Sequence, residues 1–582
     1  MPDEPAQPPR PKRRRLRRVL KVAAILLVAF VALVAVFLCT LEWWCCATPP
    51  ELEGHPAILD ARPEEADGVR RIGASWLARR QGLLRMHLEG DPFTLGYAHA
   101  ALTEKFAREQ EEHMLEFIEE FVPSSLNRWL LKKLVLLRNY DLTSYIHPAY
   151  QLELYGLTRG APDPHPELGP LYTRVLNYHA AHDISHAVMD SPLIQAPSTD
   201  AGHPDPAALC TSFAAWGAAT QGGHLLIGRN FDFNALPDFD HNRVVARVVP
   251  DDGLPFISVT WPGLIGVVSG INDERISISV NAAQCGDMRR IGTPVSLVMR
   301  HVLQHADSLD AAIGIIRDSQ VFVADCYLVA DGETGEAAVV EKTPLRCAVR
   351  RPAAGEASLV CSNHFLTPEL KADAANVRYL AEGTTVARHE RMEALLAARQ
   401  EPLSPATAAA ILRDRAVPGV PRPVLGHLAA INSITATHSV VIDATAGIIW
   451  VAVTPHQLGP YVPFGLKTFE DPPGAATIPA DPILADGSYG RCIQARQLVK
   501  DARKLGRAGR HDEAAAELSK AIALNPDHYL AHLILGRMRL GQKRFAEAAA
   551  HLERAQALHP AFGSQRRAVA QMLATCRRQG AD

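Results

Sequence analysis

Twenty consecutive residues without a charge, Val22–Leu41, limit what the first part of this chain can become. As a helix the run spans about 30 Å of hydrocarbon. Arg10, Lys12, Arg13, Arg14, Arg15, Arg17, Arg18 and Lys21 crowd in front of it, and Trp43 and Trp44 stand behind it, where an aromatic belt would lie. A cleaved signal peptide is the competing reading. The run is longer than the usual ~7–15-residue apolar core, and no small-x-small site follows it cleanly. The expectation is an uncleaved, single-pass signal anchor, its basic flank cytoplasmic and residues 45 onward outside the cytoplasm.

The 582 residues leave room for three or four domains, and 47% hydrophobic against 21% charged residues suits buried cores. A net charge of −3 argues against nucleic acid as the main partner. Ten cysteines are spread out with no CxxC pair, so zinc and thioredoxin motifs lack support. Outside the cytoplasm some could form disulfides, but pairing cannot be read from sequence.

The texture changes along the chain. Residues 1–21 form a basic tail, 22–41 the spanning helix and 47–70 a polar, Pro-containing linker. Residues 71–209 read mostly helical. Phe106, Met114, Phe117, Ile118 and Phe121 share a 3.6-period stripe, and a Pro-rich loop covers 187–208. From Cys210 to about 475, short β-branched segments dominate, among them HLLIGRNFDF, RISISVNAA, ASLVCSN and THSVVID. Helical pairs lie between them (VSLVMRHVLQHA with SLDAAIGIIRDS, HERMEALLAARQ with SPATAAAILRDRA), which predicts a layered α+β core.

Residues 493–578 change again. HDEAAAELSKAIALNP and RFAEAAAHLERAQALHP repeat at an offset of 34, matching Leu518 to Leu552, Ala521 to Ala555 and Leu524 to Leu558. That period is the tetratricopeptide signature, here two repeats and a capping helix at 561–578. Such arrays offer a groove to a protein partner and carry no chemistry themselves.

Chemistry concentrates in CTSFAAWGAATQGGHLLIGRNFDF, Cys210 to Phe233. Gly222-Gly223 reads as a hairpin turn. Cys210 and Asp232 each lie eleven residues from Gln221. Antiparallel pairing should therefore set them opposite one another, with Arg229 nearby. A thiol beside a guanidinium and a carboxylate is a setting that lowers a thiol's pKa. The plainer alternative is an inert core cysteine beside a surface ion pair.

These residues resemble the start of the mature chain in the penicillin-acyltransferase-like peptidase family, whose distant relatives include bile-salt hydrolases and acid ceramidase. LEGDPFTLGYAH (Leu88–His99) and PAYQLELYGLTRG (Pro148–Gly160) resemble that family's pro-segment motifs, and SNHF (Ser362–Phe365) a downstream landmark. The resemblance covers roughly 80–460. It implies the N-terminal-nucleophile fold, a four-layer αββα sandwich.

It also implies self-cleavage of the Leu209–Cys210 bond, which frees a cysteine whose own α-amine acts as base. Residue by residue, it makes Cys210 the nucleophile, Asp232 the group orienting the α-amine and Arg229 the brace. Asn363 becomes the oxyanion donor and Asn281 a further site asparagine. A late, substrate-binding arginine is matched by Arg388 or Arg391, whose plainer reading is a solvated helix face. The chain departs from the family at Leu209, where glycine is common. A bulkier residue narrows the conformations open to the scissile peptide.

His179, His182 and His186, with Asp183, have metal-compatible helical spacing, but 24 histidines make coincidence easy and no metal or cofactor is expected. His438-Ser439 has no GxSxG elbow, and HExxH and Walker A motifs are absent. Cys285, Cys326, Cys347 and Cys361 read as core. The leading expectation is a membrane-anchored hydrolase or acyltransferase acting on an N-acyl substrate. A lipid ester hydrolase on the same fold and a non-catalytic repeat scaffold with a dead domain are the alternatives.

Overall fold

In the computed structural model, residues 12–184, 209–233 and 237–580 are described. Arg10, the loop at 187–208 and His186 lie outside them. Helices α1 (Lys12–Cys45), α2 (Pro92–Phe121), α3 (Ser125–Arg138), α4 (Pro148–Gly160) and α5 (Leu171–His179) precede Cys210. Then come α6 (Val295–His305), α7 (Leu309–Asp318), α8 (Ala374–Glu382), α9 (Thr385–Ala397) and α10 (Pro405–Leu412). The last five are α11 (Ser488–Arg507), α12 (His511–Leu524), α13 (Tyr529–Gly541), α14 (Phe545–Ala557) and α15 (Gly563–Gln579).

The strands in chain order are β1 Glu64–Ala66, β2 Val69–Ile72, β3 Ser75–Arg80, β4 Leu83–Gly90, β5 Thr211–Ala215, β6 Leu226–Asp232, β7 Val244–Pro250, β8 Phe256–Thr260 and β9 Ser269–Asn272. They continue with β10 Ile276–Ala283, β11 Ala324–Asp331, β12 Glu336–Lys342, β13 Cys347–Arg350, β14 Ser358–Cys361, β15 Ala436–Asp443, β16 Ile448–Ala452 and β17 Tyr461–Gly465.

Two sheets result. The larger runs β1-β2-β3-β4-β7-β8-β9-β10-β11-β12-β13 and the smaller β14-β5-β6-β15-β16-β17. Strand alternation sorts their side chains into three cores. Met86, Val280 and Tyr327 pack with α2, α6 and α7 on one face of the large sheet. Ala214, Ile227, Leu328 and Val440 fill the space between the sheets. Phe213, Leu226 and Val441 pack with Met392 of α9 and Leu412 of α10 on the far face of the small sheet.

The stretch after residue 70 departs from the helical expectation. Residues 69–90 form three strands, because Leu84, Met86 and Leu88 alternate into the core with period 2. Within the expected linker, Glu64–Ala66 is also a strand. The segment before Cys210 thus supplies four strands to the large sheet. The join is a parallel ladder, Leu84 opposite Val244 through Gly90 opposite Pro250. Helices follow as expected. α2 and α4 cross so closely that a Cβ on Gly96 would stand 1.8 Å from the Glu153 carbonyl oxygen, and one on Gly156 2.3 Å from that of Phe93. Only glycine permits this approach.

Within α1, Val19–Cys45 is long and apolar enough to cross a membrane, and no residue of its most apolar stretch is buried against the rest of the chain. All ten cysteines are free thiols. In the C-terminal helices, Leu518, Leu552, Ala521 and Ala555 are all fully buried, as their shared period requires.

Candidate active site

The Cys210 hairpin closes one residue out of the expected register. The turn is two short 3-10 segments rather than a two-residue loop. Thr211 pairs with Asn230 and Ser212 with Arg229, and the ladder is extended by Leu209 N–H donating to the Asp232 carbonyl at 3.1 Å. The one-residue shift moves Asp232 to the opposite face from Cys210. Cys210 and Arg229 point between the sheets. Asp232 shares the other face with Thr211, which meets Arg388 of α9, and with Asn230, which donates to Leu412 O of α10.

On the inner face the Cys210 thiol is 4.0 Å from Arg229 Nη2 and donates weakly to the Asp232 carbonyl at 3.8 Å. Arg229 is fully buried. Its Nη1 donates to Val268 O at 2.6 Å, to Ser269 Oγ, and to His438 Nε2 at 3.3 Å, and its Nη2 donates to Val280 O. Its guanidinium carbon lies 4.5 Å from the Phe231 ring centroid. Every partner is neutral, so the cation is held by dipoles and a ring face.

On the outer face Arg388 of α9, also fully buried, spans the strand end. Nη1 donates to the Cys210 carbonyl at 2.6 Å and to Thr211 Oγ1 at 2.7 Å, and Nη2 to Asn363 Oδ1 at 2.8 Å. A donor-only guanidinium at that oxygen fixes the Asn363 amide orientation. One Nδ2 hydrogen of Asn363 then reaches Ala282 O at 2.8 Å. Asn281 donates to Cys361 O at 2.8 Å and accepts from Ser212 at 3.4 Å. Asp232 Oδ1 accepts from Thr435 at 2.8 Å and Ser433 at 3.2 Å, while Oδ2 is buried with no hydrogen-bond partner.

Arg391 does not join this cluster. It makes a two-pronged ion pair with Asp414 at 2.9 and 2.7 Å on the half-exposed side of α9. Residues three apart on a helix diverge enough to serve a core and a rim respectively.

The electrostatics differ from the expected thiol activation. Burial pushes the Cys210 thiol above its ordinary value, outweighing Arg229 and Arg388, which act to lower it. Burial likewise pushes the Asp232 carboxyl up to about 6, against Thr435, Arg388, Ser433 and Arg229. His438 is held far below its usual range by burial and by Arg229, consistent with a neutral ring stacked on Phe231, 5.2 Å between centroids.

Sequence reading missed Ser269, His438, Ser433 and Thr435 as neighbours. The run Asn432–Ser439, rich in polar residues and leading into the buried strand β15, was the available signal. A second missed layer is C-terminal. Arg496 of α11 donates to Ser433 O at 2.5 Å, Ile434 O at 2.7 Å and Gly426 O at 2.9 Å. Leu209 is buried in a cluster with Tyr529, Leu558 and Phe562.

Of the metal-spaced residues, His179 and Asp183 are engaged elsewhere. His179 bonds Val175 O at 2.8 Å and receives Ile265 N–H at 3.0 Å, and Asp183 receives Val295 N–H at 3.2 Å. Among the described residues no three His, Cys, Asp or Glu side chains are grouped to hold a metal.

Known proteins share parts of this chain. It is 28% identical over 321 residues to an uncharacterized protein of Archaeoglobus fulgidus, covering 50% of this chain and 51% of that protein. It is 24% identical over 280 residues to Protein dcd1B of Dictyostelium discoideum, covering 44% and 49%. The chain therefore spans about half the length of the curated relatives it matches.

Similar solved structures include a Caenorhabditis elegans N-acylethanolamine-hydrolyzing acid amidase ortholog, 17% identical with a TM-score of 0.30 over 40% of this chain and 93% of that one. A mutant conjugated bile acid hydrolase from Clostridium perfringens is 12% identical with a TM-score of 0.30, covering 46% and 95%. Penicillin V acylase from Agrobacterium tumefaciens is 14% identical with a TM-score of 0.29, covering 44% and 87%.

Two family models match: residues 219–453 match the family described as acyl-coenzyme A:6-aminopenicillanic acid acyl-transferase, and residues 500–561 match the tetratricopeptide repeat.

Proposed function

We propose that the chain is a membrane-anchored cysteine hydrolase or acyltransferase of the N-terminal-nucleophile type, acting on an N-acyl substrate through Cys210. The observation that carries this is the convergence on one strand end of Cys210, Arg229, Arg388, Asn363 and a buried Asp232 with one oxygen unpartnered. In this reading the three cores are those of an αββα sandwich, residues 210–475 are the catalytic domain and 71–209 the pro-segment.

Activation begins with attack of the Cys210 sulfur on the Leu209 carbonyl carbon. The C–N bond breaks, the thiol proton passes to the departing Cys210 nitrogen, and a thioester forms. Water then hydrolyses the thioester, leaving a Leu209 carboxylate and Cys210 with a free thiol and α-amine. An α-amine with an intrinsic pKa of ~7.7–8.0 is a suitable base near neutral pH. As an ammonium it can donate to Asp232, whose Oδ2 has a lone pair to spare.

In turnover the thiolate adds to the substrate carbonyl, the leaving amine takes the proton from the α-ammonium, and the acyl-enzyme passes its acyl group to water or an amine. The remaining amide hydrogen of Asn363 is the candidate oxyanion donor, a role worth about 3 kcal/mol. Arg388 holds the backbone carbonyl of the nucleophile and orients that amide. Arg388, rather than Arg391, fits the late-arginine role. The matched family model is named for acyl transfer to an amino-bearing acid, which favours an amide over an ester, and in the same reading α1 is the anchor and its basic flank the cytoplasmic side, so that the domain lies on the opposite membrane face. The test is release of a fluorescent amine from N-acyl substrates of graded chain length. Cys210→Ala should abolish it. Equal release by that variant would remove the proposal.

A further inference from the structure

Helix α3 turns its apolar face outward. Leu126, Leu130, Leu134 and Leu137 recur at i, i+4, i+8 and i+11, one side of the helix, and are 42–62% exposed, with Trp129 beside them at 37%. Inward, toward protein, α3 buries Lys133 and Leu136. A surface helix of a water-soluble domain has the reverse polarity. A contiguous exposed stripe of leucines marks an interaction surface.

The neighbour says what covers it. α3 packs against α1, and Glu42 in the last turns of α1 takes both Lys132 and Lys133 at 2.9 Å. The stripe is thereby pinned beside Trp43 and Trp44, which are 85% and 76% exposed, the residue type that sits at headgroup depth. Farther along the same helix the apolar side chains of Val19–Phe37 are exposed as well. An apolar face at that depth, backed by a charged face, has the design of a helix lying in the plane of a bilayer.

We propose that α3 lies in the headgroup–acyl boundary of the bilayer that α1 crosses, a second attachment that fixes the height of the domain on the leaflet. This rests on reading α1 as the membrane anchor. A domain held at two points on a leaflet meets acyl substrates dissolved in that same leaflet. The double clamp on Glu42 ties α3 to the end of α1 and so holds it near the surface that α1 crosses.

The experiment uses the full chain in phosphatidylcholine–phosphatidylglycerol nanodiscs, with and without lipids brominated near the glycerol end of the acyl chains. The Trp129 signal is the difference between wild type and Trp129→Phe, and the Trp43/Trp44 signal the difference from the Trp43→Phe, Trp44→Phe variant. The proposal expects bromolipid to quench both components and aqueous iodide to spare Trp129, with Leu130→Glu, Leu134→Glu reversing the pattern for Trp129 alone. Quenching of Trp43/Trp44 by bromolipid with Trp129 open to iodide would overturn it and leave the anchor standing. Loss of quenching for all three tryptophans would overturn the anchor and the proposal together. Protection of Trp129 from iodide without bromolipid quenching, growing with protein concentration, would overturn it in favour of contact with a second copy.

Discussion

Arg388 donates to the carbonyl oxygen of Cys210 at 2.6 Å while both residues are fully buried. A side chain 178 positions downstream in sequence thus holds the backbone of the candidate nucleophile. The same guanidinium fixes the Asn363 amide, so one residue aligns the attacking group and the candidate oxyanion donor. Arg388→Ala should lower kcat by about 10²–10³-fold. Arg388→Lys should recover little, because a point charge cannot bridge two acceptors as a planar fork does. Steady-state kinetics on the processed enzyme, beside thermal unfolding to exclude simple loss of fold, check this. Near-wild-type kcat in both variants would remove Arg388 from the site.

Asp232 gives a pH signature. Its carboxyl is pushed up to about 6 by burial, and only the ionised form can hold an α-ammonium. In the processed enzyme the neighbouring α-ammonium lowers that value, so kcat/KM should hold down to about pH 6 and fall below it. Asp232→Asn should remove that limb and lower the plateau.

The same shift has a stability consequence. Since the folded pKa lies above the unfolded one, the native state binds more protons between 3.8 and about 6. In the uncut Cys210→Ala chain, stability should decline as pH rises across that window, with the slope lost in the Asp232→Asn double variant. Melting midpoints from pH 4 to 7 measure it. A flat difference between the two chains would contradict the burial argument.

The C-terminal repeats are joined to the site rather than hung beside it. Arg496 braces three carbonyls of the loop that carries Ser433, and Ser433 donates to Asp232. Arg496→Ala leaves those carbonyls short of a donor, a cost of about 1–3 kcal/mol. We expect kcat to fall and the pH limb assigned to Asp232 to shift, while the far repeat helices keep their structure. A variant that is destabilised yet has an unmoved pH profile would make Arg496 structural only.

The glycines of the two motifs ahead of Cys210, Leu88–His99 and Pro148–Gly160, carry a packing requirement. A Cβ on Gly156 would meet the Phe93 carbonyl oxygen at 2.3 Å. Backbone cannot yield as a flexible side chain does, so Gly156→Ala should destabilise by about 1–3 kcal/mol or prevent accumulation of folded chain. Gly490→Ala, which meets nothing within 4 Å, is the control. Equal expression and melting of the two variants would contradict the crossing.

Much of this was legible from residues alone. Each of the ten strand segments read from Cys210 onward holds a strand, because β-branched runs between turn residues leave little choice. The fixed 34-residue offset located the repeats for the same reason. The register at Cys210 was not legible. Counting from Gly222-Gly223 assumed a two-residue turn, and the longer 3-10 turn slid the pairing by one, sending Asp232 to the far face. The strands at 69–90 escaped because their alternation is broken by charges that face outward, and because their partner, β7, lies more than 150 residues downstream. Arg388 and Arg391 could not be separated by spacing. Only the packing of α9 on the small sheet decides which arginine points inward.

The claim that Cys210 is a nucleophile unmasked by self-cleavage is tested most directly by denaturing electrophoresis of the purified full chain with N-terminal sequencing of the bands. The account predicts two fragments, 1–209 and 210–582, the larger beginning at Cys210. They should co-purify under native conditions, because the β4–β7 ladder joins them. The Cys210→Ala chain should run as one band. A wild-type chain that remains a single band while retaining full acyl-transfer activity would contradict it.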